Sequence, residues 1–479
     1  MGVRSLVAVL LVVGCASHHH HNTDDAAVDA YVPDACVGSL TCFQFDCSTK
    51  TDPMGNPLPP TTLSGTVYAP NGTLPLYGVN VYVPATDPGP LPDGVTCDQC
   101  AAGLQGGALA AAVTDEAGHF KLTNVPATTD VPVVIQIGKW RRQLKIPAVA
   151  ACAETDLGML DPNATRLPKS RMDMTPLTTS VDLPHIAIST GGADAIECLI
   201  LKLGIDPTEI GASTQDTRIH LYTDPVSGGQ GASTFKAGWP GGTAAMTDSR
   251  TTFWNDVNSL KKYDIVMLSC EGDQFPASKP QASLQAMHDY ADVGGRVFAS
   301  HWQNIWIGGD DTNPMHGLPD WEAVATFNFG GNPNPDTLTA MIDEVNNPKG
   351  MSFATWMQNV GGSPTTRDEL TVTAARNTCT SVDATKAEQW VYLDPATANP
   401  PGTLTMKSAM NFQFTTPQDV DPDQRCGKVV FSDMHVSADS SSSPGTPYPN
   451  GCSTAALTAQ EKALAFMFFD IASCVGSVQ

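Results

Sequence analysis

The chain changes its apolar rhythm once, near residues 161–180, and that change limits the folds open to it. Before it run short alternating segments, "LSGTVYAP", "GVNVYVP", "GHFKLTNVP" and "VPVVIQIGKWRRQLKI", separated by Gly and Pro turns. Period-two alternation sends every second side chain to one face, so such segments bury that face in an antiparallel β-sandwich. Beyond the Pro-rich link, apolar strands alternate with amphipathic helices. "HIAIST" leads into a helix "ADAIECLILKLG"; "RIHLYT", "YDIVMLSC", "RVFASHW" and "KVVFSDMHV" are further strands; "SLQAMHDYADVGG" and "TAQEKALAFMFFDIASC" are helices. This alternation predicts a flavodoxin-like α/β layer with a mostly parallel sheet. The last helix begins with a capping box, Thr458 with Glu461. A length of 479 residues suits two or three folded units. The expected boundaries are 61–160 for the sandwich and 181–479 for the α/β unit.

The first 15 residues carry Arg4, an apolar run from Leu6 to Val13, and "LVVGC". This is the pattern of a bacterial lipoprotein signal peptide, cleaved before Cys15, which is then lipidated and anchors the chain in a membrane. Ala16 after that cysteine implies, by the sorting rule of such lipoproteins, the outer membrane of the cell envelope. Residues 16–60 are polar, include His18–His21, and read as a flexible tether partly stapled by Cys36, Cys42 and Cys47. The late apolar run "ALAFMFFDIASCV" is shorter than the roughly 20 residues of a spanning helix.

Forty-nine acidic residues against 26 basic ones exclude nucleic acid as a natural partner, because the phosphate backbone would repel the chain. One basic strand, "GKWRRQLKI", stands out; Lys139, Arg141, Arg142 and Lys145 are expected to dock the acidic α/β unit against the sandwich. Thirteen cysteines less Cys15 leave 12, enough for six disulfides outside the cytoplasm. The expected pairings are Cys270 with Cys198, Cys452 with Cys474, Cys379 with Cys426, and a local bond within "CDQC", Cys97 to Cys100.

Three resemblances follow from motifs. "SGTVYAPNG", "PLYGVNVYVP" and "TDEAGHFKLTNVP" resemble the carboxypeptidase regulatory-like domain, a transthyretin-like sandwich of the carbohydrate-binding-like fold group, over about residues 61–148. That domain has no catalytic role in carboxypeptidases. "YDIVMLSCEGDQ", "LQAMHDYADVGGRVFASHW" and "GKVVFSDMHVS" resemble the class I glutamine amidotransferase-like fold, nearest its trehalose-utilisation type, over roughly 182–475. Such amidotransferases place a nucleophilic cysteine in an elbow after the strand that is "RVFAS" here, yet Ser300 and His301 occupy it. His435 is the nearest counterpart of the family's histidine, with Val436 and Ser437 replacing the Pro-Glu that follows it. The ordered combination of leader, sandwich with "CDQC", "TGGADAIECL" and "GGRVFASHW" resembles a group of lipoproteins from myxobacteria and their relatives.

Open parallel sheets bind ligands at the carboxyl ends of their strands. The residues expected there are Gly191, Gly192 and Asp194 after the first strand; Cys270, Glu271 and Asp273 after the third; Ser300, His301 and Trp302 after the fourth; and Asp433 and His435 after "KVVFS". Acidic neighbours hold a thiol protonated, so Cys270 reads as structural rather than nucleophilic. His301 and His435 serve either as base and orienter or as two ligands of a metal completed by Glu271, Asp273 or Asp433. Each also has a simpler reading, a histidine that hydrogen-bonds the loop above it. Gly191, Gly192, Asp194, Asp273, Ser300, Trp302 and Asp433 form the expected ligand-binding set. The leading expectation is an envelope lipoprotein with a binding or structural role and no cofactor. The alternative is a hydrolase or carbohydrate-active enzyme working through His301, His435 and Glu271 on a carbohydrate or envelope component.

Overall fold

Eight strands come first: β1 (Thr62–Thr66), β2 (Asn80–Pro84), β3 (Ala108–Val113), β4 (His119–Thr123), β5 (Thr129–Ile137), β6 (Trp140–Ala148), β7 (Glu154–Asp156) and β8 (Thr178–Asp182). They build a three-stranded sheet, β4-β1-β7, and a five-stranded sheet, β3-β2-β5-β6-β8. The alternation read in the sequence is visible in β4, where Phe120 and Leu122 are buried between exposed neighbours. The turn before β4 needs Gly118: its φ is +78°, and a side chain there would strike the Val67 carbonyl. The stretch read as a link supplies β8, which pairs with β6.

This computed structural model describes residues 39–226, 228–310, 317–328, 337–397, 401–402, 404, 406–436 and 446–476. The leader, Cys15, His18–His21, Cys36 and Ser437 lie outside the described residues. No helix among the described residues is long and apolar enough to cross a membrane.

Thirteen further strands form one mixed sheet: β9 (Ile186–Thr190), β10 (Ile210–Ala212), β11 (Ile219–Thr223), β12 (Thr247–Asp248), β13 (Ile265–Leu268), β14 (Arg296–Ser300), β15 (Ala325–Phe327), β16 (Thr337–Ile342), β17 (Glu369–Thr373), β18 (Cys379–Val382), β19 (Ala387–Leu393), β20 (Ser408–Thr416) and β21 (Gly427–Ser432). The order is β10-β11-β9-β13-β14-β21-β20-β19-β16-β17, with β12 beside β11 and the pair β15-β18 joined to β20. From β10 to β21 neighbours run parallel; β20, β19, β16 and β17 continue antiparallel. The parallel strands are buried end to end, as strands covered on both faces must be. The helix Ala459–Ala472 starts at the expected capping box, in which Thr458 and Glu461 satisfy each other's backbone N–H groups.

The two sequence regions share one continuous apolar core within Leu40–Gln479. Trp140 of β6 sits against Phe468 and Phe469 of the last helix, with ring centroids 5.2 and 5.5 Å away. Of the four basic residues expected to dock the regions, Lys139 does so, 2.6 Å from Asp264. The other three stay on their own side: Arg141 pairs with Asp182, Arg142 with Asp173, and Lys145 with Asp130.

The disulfides overturn every expected pairing. Cys97 bonds Cys426, Cys100 bonds Cys474, Cys198 bonds Cys452, and Cys47 bonds Cys152, while Cys270 and Cys379 are free and buried. Backbone hydrogen bonds explain why "CDQC" does not close on itself. Cys100 N–H donates to the Val475 carbonyl and Val475 N–H to that of Asp98, which lays the insertion along the chain's last residues. Each cysteine of the motif therefore meets a different partner across the seam.

Candidate functional site

Strand register brings the first pair of the site together. β13 pairs parallel with β14 so that Leu268 stands beside Ala299. Two residues further on, Cys270 therefore meets His301. The Cys270 Sγ lies 3.2 Å from His301 Nδ1, and both side chains are buried. His301 reaches that position because its backbone turns left-handed, φ +46°, directly after β14. Such a conformation in a non-glycine residue is strained and gathers at functional sites. His435, after β21, completes the cluster, its ring centroid 5.2 Å from that of His301. One ligand atom from each of Cys270, His301 and His435 lies within 4.8 Å of the others. Neither Nε2 of the two histidines has a hydrogen-bond partner, although both are buried.

The environment keeps these groups neutral. Burial pushes the Cys270 thiol up to about 12; the backbone N–H groups of Trp302 and Gly272 oppose this, and the charges of Asp194 and Glu271 add to it. Burial, helped by the charges of His435 and Arg376, holds His301 well below the usual imidazole range. His435 is also lowered by burial and Arg376, against the pull of Asp194. A thiolate–imidazolium pair is thus disfavoured at this depth, since desolvation penalises both charged forms.

The other expected residues fall into distinct positions. Asp194 is buried and ties three strand ends together: it accepts from the Ser300 hydroxyl at 2.6 Å and from Val436 N–H at 2.8 Å. Ser300 and His301, adjacent in sequence, therefore point to different partners. Gly191 and Gly192 contribute backbone. A side chain on Gly191 would collide with the Cys270 carbonyl, and Gly192 N–H donates to Gly229 O at 2.7 Å. Glu271 is buried but tied up, 2.6 Å from Lys279 Nζ and 3.1 Å from Gln303 Nε2, leaving one carboxylate oxygen unpartnered. Asp433 accepts from Thr378 N–H at 2.7 Å and from its hydroxyl at 2.8 Å, facing that loop rather than a histidine, and burial pushes it up to about 7. Trp302 stands half-buried beside His301, ring centroids 5.0 Å apart, whereas Trp306 packs on Trp254 in the core. Asp273 is exposed and bonds only its neighbour Gln274 among the described contacts, so the structure does not bring it to the cluster.

The expected Cys270–Cys198 bond fails for a positional reason. Cys198 lies on the helix Ile196–Lys202 and is drawn to Cys452, ahead of the last helix. Three residues that shape the site were not singled out in the sequence: Lys279, Gln303 and Arg376. A buried acid requires a cation, and that rule applied to Glu271 points to Lys279, eight residues on. Arg376 arrives from the loop after β17, held by the carbonyls of Ala374 and Ala375, and no spacing pattern signals it.

No family model matches the chain, and no curated protein matches it. Among solved structures it is similar to a ThuA-like protein from Bacteroides uniformis, at 11% identity and a TM-score of 0.30, over 59% of this chain and 88% of that one. A cytoplasmic protein from Salmonella typhimurium is similar at 10% identity and a TM-score of 0.32, over 60% and 99%. A cohesin–X-dockerin complex from Acetivibrio cellulolyticus covers 30% of this chain and 85% of that one, at 19% identity and a TM-score of 0.17.

Proposed function

We propose that this chain is a lipoprotein of the cell envelope, anchored through Cys15, whose amidotransferase-like half binds a ligand at the strand-end crevice and has no glutaminase chemistry. One observation carries the reading: the elbow after β14 presents the imidazole of His301, and the nearby thiol, Cys270, comes from the neighbouring strand and is held as a buried neutral group. The strand sequence β11-β9-β13-β14-β21 supports a flavodoxin-like core, and the carboxyl ends of such strands are where these sheets bind ligands. The two sheets ahead of it support the regulatory-like sandwich. The purified chain should release no ammonia from glutamine above a buffer blank. Glutaminase activity that disappears in Cys270→Ala would sink the proposal. The anchor is tested separately, since Cys15→Ala should move the protein from the membrane fraction to the soluble one.

A second reading, a hydrolase acting on a carbohydrate or envelope component, is favoured by the 5.2 Å spacing of His301 and His435, close enough to hold one ligand. Glu271 fits it poorly, because Lys279 and Gln303 already engage its carboxylate. Hydrolysis of an envelope glycan or ester, lost in His435→Ala but retained in Glu271→Gln, would support this second reading.

A further inference from the structure

We infer that Cys270, His301 and His435 are three ligands of a zinc-class divalent ion, bound at the crevice that the proposed function treats as a binding site. Three independent features meet here. Thiolate and imidazole are the donor set this ion prefers, and three protein ligands leave a fourth position for water or a bound molecule. The cluster's ligand atoms already lie within 4.8 Å of one another on three adjacent strand ends, β13, β14 and β21. A tetrahedral ion with bonds of about 2.0–2.3 Å needs the three side chains to draw together and the His301 ring to turn from there.

The second feature is the pair of unpartnered imidazole nitrogens. Buried polar atoms are nearly always hydrogen-bonded, and each exception calls for an explanation. His301 and His435 leave Nε2 unpartnered in the same cluster, 3% and 4% exposed. With the His301 ring turned over, so that Nε2 rather than Nδ1 lies on the side of Cys270 Sγ, one ion would give both nitrogens a partner.

The third feature is the treatment of the sulfur. Gly272 N–H points at Cys270 Sγ from 3.4 Å, and Trp302 N–H also donates to it. A neutral thiol has little use for two donors, whereas a metal-bound thiolate is stabilised by them, as outer-shell donors tune metal ligands generally. Around this first layer, Asp194 supplies negative charge, and Gln460 fixes the His435 backbone by donating to its carbonyl at 2.7 Å. Binding forms one metal–sulfur and two metal–nitrogen bonds and releases the thiol proton to solvent, with no change of oxidation state.

The test uses the full chain with Cys15 and His18–His21 replaced by alanine, because the histidine tract would itself take up metal. Co²⁺ added alone should bind at one equivalent with a sulfur-to-cobalt absorption band, and Zn²⁺ should displace it. Cys270→Ser should remove the band, and His435→Gln should weaken binding by roughly 100-fold or more. X-ray absorption of the Zn²⁺-loaded chain needs no site variant; it should show one sulfur at about 2.3 Å with nitrogen neighbours. Failure to bind one equivalent, a band unchanged in Cys270→Ser, or a zinc shell without sulfur would each overturn the inference. A Cys270-dependent glutaminase would defeat the proposed function while leaving the metal measurement to stand or fall alone.

Discussion

The Arg142–Asp173 cluster and the Cys270–His301–His435 cluster are both deeply buried, and they treat their polar atoms in opposite ways. Every guanidinium nitrogen of Arg142 has a partner: Nε on the Arg166 carbonyl at 2.7 Å, one terminal nitrogen on Thr178 Oγ1 and Asp173 O at 2.8 and 2.9 Å, the other on Asp173 Oδ2 at 2.7 Å. Asp173 is in turn held by Arg166 and by Lys169 N–H. Around Cys270, two buried imidazoles keep an open nitrogen each. Arg142 and Asp173 spend every polar side-chain atom on partners within the fold, although Nε of the adjoining Arg166 has none. The Cys270 cluster keeps capacity in reserve at a strand end, which is where a ligand can use it.

The largest expected effect tests the structural member of the comparison. Arg142→Ala leaves Asp173 without its main buried partner and should cost roughly 3–5 kcal/mol in denaturant unfolding; a cost near zero would mean that the network is not structural. Next comes pH dependence at the other cluster. His301 has a folded pKa depressed below its unfolded value, so its neutral form contributes stability that is present above about 6.5 and lost as pH falls. With chelator present, wild-type stability should drop on going from pH 7 to 5.5, and His301→Ala should remove up to about 1.4 kcal/mol per pH unit from that slope.

Smaller effects sharpen the contrast. Cys270→Ser, again with chelator, should shift unfolding by about 1 kcal/mol or less, because a hydroxyl can take the same N–H donors. A loss as large as that of Arg142→Ala would make the thiol a structural element. The smallest effect belongs to Lys145, on the same strand as Arg142 but paired with Asp130 in the open, side chains 53% and 62% exposed. Lys145→Ala should stay within about 0.5 kcal/mol of wild type.

The sequence pattern was a good guide wherever a local rule applied. "HIAIST", "YDIVMLSC", "RVFASHW" and "KVVFSDMHV" are β9, β13, β14 and β21, because strand periodicity and apolar runs are local properties. The capping box at Thr458 was legible for the same reason. Cysteine pairing was not. Cys97 and Cys426 are 329 residues apart, and what joins them is the insertion lying along the chain's final segment, a tertiary fact. The candidate site was half legible: strand-end position placed His301, His435 and Asp194 at one edge, where the structure has them, but the acidic flank of Cys270 suggested a disulfide. Register between β13 and β14 decided otherwise. Lys279 and Arg376 come from loops whose paths no periodicity predicts.

The two bonds of "CDQC" also alter what cutting the chain would do. Met172 is 83% exposed, in the stretch between β7 and β8. A peptidase that nicked the backbone there would leave the pieces joined by Cys97–Cys426 and Cys100–Cys474. The nicked molecule would migrate as one species until reduced, and with the anchor proposed at Cys15 its distal half would stay at the membrane after proteolysis.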